Sequence, residues 1–211
     1  MSISVDAKTK AMEDLSISPM SGEVLTELRC LYSSAPDGRC WCVAWEVPTW
    51  KDWGQRTGDE NRTLREALWS KGEYNGYLFY EKHVPIGWCK VGPTKAWPKF
   101  CEESGVPLSD TVYAFTCFRL KPKYQGKGYL HVFLRKIIQD LQAKGIKKFV
   151  AFPRKDEGAI EPGSTELWMG PLSVFAKAGF RIIRTIGQRH VVEFETSALS
   201  VATNSGDQSL Q

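Results

Sequence analysis

Between Thr111 and Lys144 the chain reads TVYAFTCFRLKPKYQGKGYLHVFLRKIIQDLQAK, and no other stretch limits the possible folds as tightly. β-Branched and aromatic residues from Val112 to Leu120 predict a buried strand. Pro122 turns the chain, and Gln125-Gly126-Lys127-Gly128 makes a second, glycine-rich turn. Beyond it Leu130, Phe133, Leu134, Ile137, Ile138 and Leu141 recur at the i, i+3, i+4 spacing of a helix face. Lys144 and Gly145 supply the cation and the left-handed residue with which helices end. Strand, turn and helix in this order expose several backbone N–H groups at a helix N-terminus, where the macrodipole favours negative charge. Two glycines let phosphates approach the backbone closely, and Lys123 and Lys127 add mobile positive charge. The stretch predicts an anion site for a phosphate-bearing cofactor.

The flanking segments build a mixed sheet around this unit. Residues 1–22 are polar and lack periodicity, and predict a flexible leader. Residues 24–32 fit either a strand or a short helix, and the apolar run Cys40–Val47 has the composition of a buried strand. Thr57 and Glu60 match a capping box that opens a helix ending near Lys71-Gly72. Gly76–Glu81 and Ile86–Val91 predict a hairpin, and residues 93–110 a long connection. Ile146–Phe152 predicts a strand parallel to the central one, reached by a helical crossover. Residues 153–170 form a Pro/Gly loop of a length that is more often functional than idle. Pro171 starts a helix that Gly179 closes, and Phe180–Thr185 with Arg189–Thr196 makes a last hairpin. The expectation is an α/β fold with one domain over residues 23–196 and a disordered tail over 197–211.

The glycine turn is not a Walker A loop, because Gly128 follows Lys127 and no glycine stands at the upstream spacing. It is not a Rossmann fingerprint either, since the residue three after Gly128 is His131. Gln125-Gly126-Lys127-Gly128-Tyr129-Leu130, preceded by Phe118-Arg119-Leu120-Lys121-Pro122, resembles the Gln/Arg-x-x-Gly-x-Gly/Ala signature of the GNAT superfamily of N-acyltransferases. Phe175-Ala176-Lys177-Ala178-Gly179-Phe180 resembles that family's second signature, and the likeness spans roughly residues 40–195. The resemblance implies a GNAT-like mixed sheet flanked by helices, acetyl-coenzyme A as cosubstrate, and direct transfer of its acetyl group to an amine. It assigns the cofactor to the strand end Phe118, Arg119 and Leu120, to the turn Gln125, Gly126, Lys127, Gly128, Tyr129 and Leu130, and to Phe175. Leu130 stands where the family has Gly or Ala. Many relatives pair through their C-terminal strands, so a homodimer is expected.

Acyl transfer needs a neutral amine, a polarised carbonyl and a proton for the leaving thiolate. The family draws the carbonyl's hydrogen bond from a backbone N–H, here around Phe118. Its usual tyrosine acid corresponds to Phe175, which has no proton to give, and no carboxylate lies at Ala114–Thr116 where a base commonly stands. Glu46 and Glu166 are the candidate replacements. A non-catalytic coenzyme A sensor is the alternative reading. All tryptophans except Trp168 precede residue 100, in the region that builds the family's acceptor pocket. Trp50, Trp53 and Trp168, in irregular segments, are the substrate-binding candidates, whereas Trp41, Trp45 and Trp69 fit a core.

A net charge of +4 without a basic cluster argues against a nucleic-acid track and suits a small-molecule amine acceptor. No apolar run approaches the roughly 20 residues of a bilayer span, and the first residues lack a signal-peptide core, so a cytoplasmic location is expected. The six cysteines are then expected to be reduced. Cys40 and Cys42 lack the spacing and partners of a zinc site and read as small core residues, with no metal implied.

Overall fold

A computed structural model describes residues 14–20, 25–33, 39–154 and 167–196. The expected 153–170 loop lies mostly outside them, and so does the tail from Ser197. Seven strands form one sheet in the order β1-β2-β3-β4-β5-β7-β6: Leu15–Pro19, Tyr77–Glu81, Val84–Pro93, Val112–Leu120, Lys148–Ala151, Arg189–Glu195 and Arg181–Ile186 respectively. Only β4 and β5 run parallel, joined by the long helix α5 (Tyr129–Ala143); every other neighbouring pair is antiparallel. The remaining helices are α1 (Leu25–Ser33), α2 (Trp50–Gln55), α3 (Gly58–Ser70), α4 (Pro98–Ser104) and α6 (Leu172–Lys177). The mixed α/β architecture is the one expected.

Local chemistry accounts for the elements. On α5, Phe133, Leu134, Ile137, Ile138 and Leu141 are all buried, and Phe133 stacks on Phe79 of β2. Gly145 closes the helix at φ 86°. Thr57 and Glu60 form the reciprocal capping box at the start of α3.

Helices α2 and α4 stand where irregular segments were expected, and three other expectations fail. Residues 15–19 lie within the presumed leader, yet they form edge strand β1 against β2, where Leu15 is buried. The segment 40–47 is no strand. Trp41 and Cys42 both have left-handed backbones, at φ 46° and 50°, so the chain turns where a strand would extend. Its carbonyls find side chains instead of a ladder: Tyr74 Oη donates to Trp41 O, Lys90 Nζ to Cys42 O and Lys99 Nζ to Ala44 O. The apolar composition there recorded burial without recording extension. The third failure is the cysteines, because Cys42 is joined to Cys117 of β4 as a disulfide, their Cα atoms 6.4 Å apart.

Candidate active site

The β4–β5 ladder ends at Phe115↔Ala151, and beyond it the strands part. On its other side β4 carries an extra residue, Thr116: Phe115 pairs with Val91 and Cys117 with Lys90. This bulge re-aims the strand end. A cavity of about 1170 Å³ runs from the glycine turn along the parted strand to a chamber walled by tryptophans. Gly126 and Gly128 have φ of 68° and 85°, which L-residues with side chains rarely adopt. A Cβ on Gly128 would meet no heavy atom within 4 Å, so the N-terminus of α5 faces open space. Gln125 Nε2 donates to Leu120 O at 2.8 Å and ties this turn to the strand.

Of the residues the sequence assigns to the cofactor, Phe118, Arg119, Leu120, Gln125, Gly126, Gly128, Tyr129 and Leu130 line this cavity. Lys127 does not; its ammonium turns back to Lys123 O at 2.6 Å. Phe175 is withdrawn as a cofactor contact. It is fully buried among Phe115, Phe118 and Phe180, and Ser173 and Val174 of α6 reach the lining in its place. The Phe118 N–H donates to Trp168 O at 2.7 Å, on the edge that β5 has vacated. Gly170, at φ 85°, holds this contact closed: a Cβ there would come within 3.1 Å of the Phe118 and Phe175 rings.

The far chamber gathers Trp50, Trp53 and Trp168, as the sequence proposed, together with Trp45. Trp45 stacks on Trp168 at 5.8 Å and meets Trp50 edge-on at 5.2 Å. Lys99 Nζ sits 3.9 Å from the Trp50 ring centroid, a cation–π contact; burial lowers its pKa. Two charged residues that do line the chamber, Glu103 and Arg189, escaped the sequence reading. Glu103 accepts a hydrogen bond from Trp50 Nε1. Arg189 donates to Phe152 O and Met169 Sδ and lies over the Phe152 and Trp168 rings. Neither stands in an anion or cation motif along the chain, and only the fold brings α4 and β7 to one cavity.

Glu46 lies elsewhere. It forms an ion pair with Lys90, accepts from Trp97 Nε1 at 2.8 Å, and is not among the lining residues. The second catalytic candidate, Glu166, falls outside the described residues. Tyr32 Oη donates to Cys42 Sγ, and burial raises the pKa of this phenol, which keeps it protonated at the cavity wall. Among the described residues no cluster of three or more metal-ligating side chains occurs.

The fold is that of the GNAT N-acetyltransferases. The chain is similar to the PaiA N-acetyltransferase of Thermoplasma acidophilum solved with coenzyme A, at 14% identity and TM-score 0.51 over 86% of this chain and 99% of that one. It is similar to YncA of Salmonella typhimurium solved with acetyl-CoA, at 15% identity and TM-score 0.50 over 86% and 94%. An acetyltransferase of the GNAT family from Streptococcus pneumoniae aligns at 15% identity and TM-score 0.50 over 86% and 98%. No protein-family model and no curated protein matches the sequence.

Proposed function

We propose that this chain is an acetyl-CoA-dependent N-acetyltransferase acting on a small-molecule amine. The observation that carries the reading is the continuity of the cavity, from an open glycine turn at the start of α5, past the parted edge of β4, into the tryptophan chamber. Residues present fit the cosubstrate. The amides around Gly126 and Gly128 suit a pyrophosphate, and the backbone of Phe118 to Leu120 suits a pantetheine arm. Acetyl-CoA supplies a thioester: the amine nitrogen forms the new C–N bond as the C–S bond breaks, and the amine's proton ends on the thiol.

The chain's own part is orientation and polarisation. The Phe118 N–H, given to Trp168 O here, is the donor for the acyl carbonyl, so the Trp168 segment yields that bond when the cosubstrate binds. Cavity walls align the two reactants, and such alignment supplies several kcal/mol of the barrier, of order 7–11 in well-oriented cases. No side-chain base is assigned, because Glu46 is committed to Lys90 and Glu166 lies outside the described residues.

Calorimetric titration with acetyl-CoA, coenzyme A and ATP, followed by thiol release against an amine panel, tests the reading. Selective acetyl-CoA binding with amine-dependent release supports it. Absence of coenzyme A binding refutes it. Binding without release favours the second reading, a coenzyme A sensor, to which the buried Phe175 and the engaged Phe118 amide lend support.

A further inference from the structure

We infer that the acceptor is an amino acid, an amine that also carries a carboxylate, with a flat or bulky apolar body. Glu103 receives the ammonium and Arg189 the carboxylate. This deepens the acetyltransferase reading and rests on it for the identity of the reaction, though not for the binding itself.

The argument starts from the charges left over in the cavity. At the glycine-turn end the lining cations Arg119, Lys121 and Lys177 suit a phosphate-bearing cosubstrate. Among the described lining residues the tryptophan end holds one carboxylate and one guanidinium, Glu103 and Arg189, separated by indoles: Trp50 bonds Glu103, Trp45 joins Trp50 to Trp168, and Arg189 lies over Trp168. Lys99, over the Trp50 ring and within reach of the Glu103 field, is outside the lining and donates to Ala44 O. Neither Glu103 nor Arg189 enters any ion pair among the described residues, although each feels the other's charge. Arg189 is half-buried, and among the described residues one nitrogen, Nη1, makes both of its side-chain hydrogen bonds, to a carbonyl and a thioether. A guanidinium offers five donors, so most of its fork remains for an anion. Burial lowers the Arg189 pKa, and the nearby Arg154 adds to the same effect, so a bound carboxylate would relieve an unfavourable local field.

Glu103 is complementary. Among the described lining residues it is the only carboxylate, and Trp50 Nε1 fixes it beside aromatic faces that themselves attract cations. Opposite charges that form no ion pair with each other, with indoles between, fit a zwitterion. A plain amine would leave Arg189 desolvated without an anion, and a polyamine would meet its positive charge.

The test uses the full chain with saturating acetyl-CoA. Thiol release is measured with phenylalanine, tryptophan and leucine and with phenethylamine, tryptamine and isopentylamine, the same bodies without the carboxylate. The amino acids are expected to have higher kcat/KM by about tenfold or more, the value of a hydrogen bond to a charged group. Glu103→Gln and Arg189→Gln are expected to raise KM for the amino acids by about ten- to a hundredfold, with kcat changed less. Arg189→Gln should also collapse the preference for amino acid over amine to near one, whereas Arg189→Lys keeps part of it. A preference for the plain amines, or an Arg189→Gln loss equal for both sets, overturns the proposal. If acetyl-CoA binds but no acceptor releases thiol, the enzyme reading fails, and indole fluorescence decides the inference separately. Saturable quenching by amino acids, weakened in both variants, upholds it; no quenching overturns it.

Discussion

Replacing Glu46 by glutamine should reveal what this carboxylate is for. Lys90 is 1% exposed; its ammonium donates to Glu46 and to Cys42 O at 2.8 Å and lies 4.5 Å from the Tyr74 ring centroid. Glutamine keeps the shape and an acceptor for Trp97 Nε1, but it removes the anion that, among the described residues, pairs with the buried Lys90. Breaking such a pair from one side costs about 3–5 kcal/mol, and the retained acceptor places this variant near the lower figure. At about 2–4 °C per kcal/mol for a chain of this size, the melting temperature should fall by about 6–12 °C.

The pH dependence adds a second signature. Burial lowers the Lys90 pKa below its usual 10.5, and Glu46 partly offsets that by favouring the charged form. Between the folded value and 10.5 the unfolded chain binds more protons, so stability rises with pH through that window. Without Glu46 the folded pKa drops further and the window opens at lower pH. The deficit of the variant should therefore shrink as pH rises through that window. Adding Lys90→Met should recover most of the loss, because the uncompensated charge is gone. The assay is urea unfolding of wild type, both single variants and the double variant across pH. A loss below about 1 kcal/mol, or a deficit that grows with pH, refutes the reasoning. Acetyl transfer by Glu46→Gln below its melting point should stay within a fewfold of wild type; a collapse of kcat with stability intact would return Glu46 to the chemistry.

Other expectations can be checked independently. Gly128→Val places a β-branched residue at φ 85° facing the open cradle; calorimetry should show acetyl-CoA affinity lost, with stability reduced only by about 1–2 kcal/mol of backbone strain. Unchanged affinity would mean that the turn is not the phosphate site. Peptide mapping without reduction should recover Cys42 linked to Cys117 across 75 residues, and reduction should cost about 4 kcal/mol in the chain-entropy account; free thiols at both positions would contradict the pairing. We propose that the expected homodimer uses edge strand β6, where Ile182, Ile183 and Ile186 are 52%, 49% and 37% exposed. Light scattering should then show Ile183→Lys as a monomer, and a monomeric wild type at micromolar concentration would refute this.

What could be read from the sequence was what local periodicity writes. The spans of β4 and α5, the capping box at Thr57 and the β2–β3 hairpin each depend on residues a few positions apart, and the structure has them. The segment 40–47 was misread because its tryptophans, cysteines and valines state burial, which a turn can satisfy once Tyr74, Lys90 and Lys99 reach its carbonyls. Those donors lie some thirty to fifty-five positions away, beyond any window of local pattern. The helix α2 was missed for a related reason: Thr49, which caps it by accepting from Asp52 N, follows a proline that reads as a break.

The same division explains the site. The proposed cofactor half lies mostly in one contiguous stretch, Phe118–Leu130, so its geometry is written largely in its own glycines and strand pattern. The proposed acceptor half is assembled from α2, α4, the Trp168 segment and the start of β7, and each contributes one or two side chains. Glu103 looks like any acidic residue on a short helix and Arg189 like any strand cation; their proposed role arises only where the fold brings both to one cavity, with Trp45, Trp50 and Trp168 between them. A cosubstrate shared by many enzymes can be held by a local motif, whereas an acceptor particular to one enzyme is recognised by residues that tertiary structure collects. Tests of specificity in this chain therefore belong on α4 and β7, and tests of acetyl-CoA binding on the turn at Gly128.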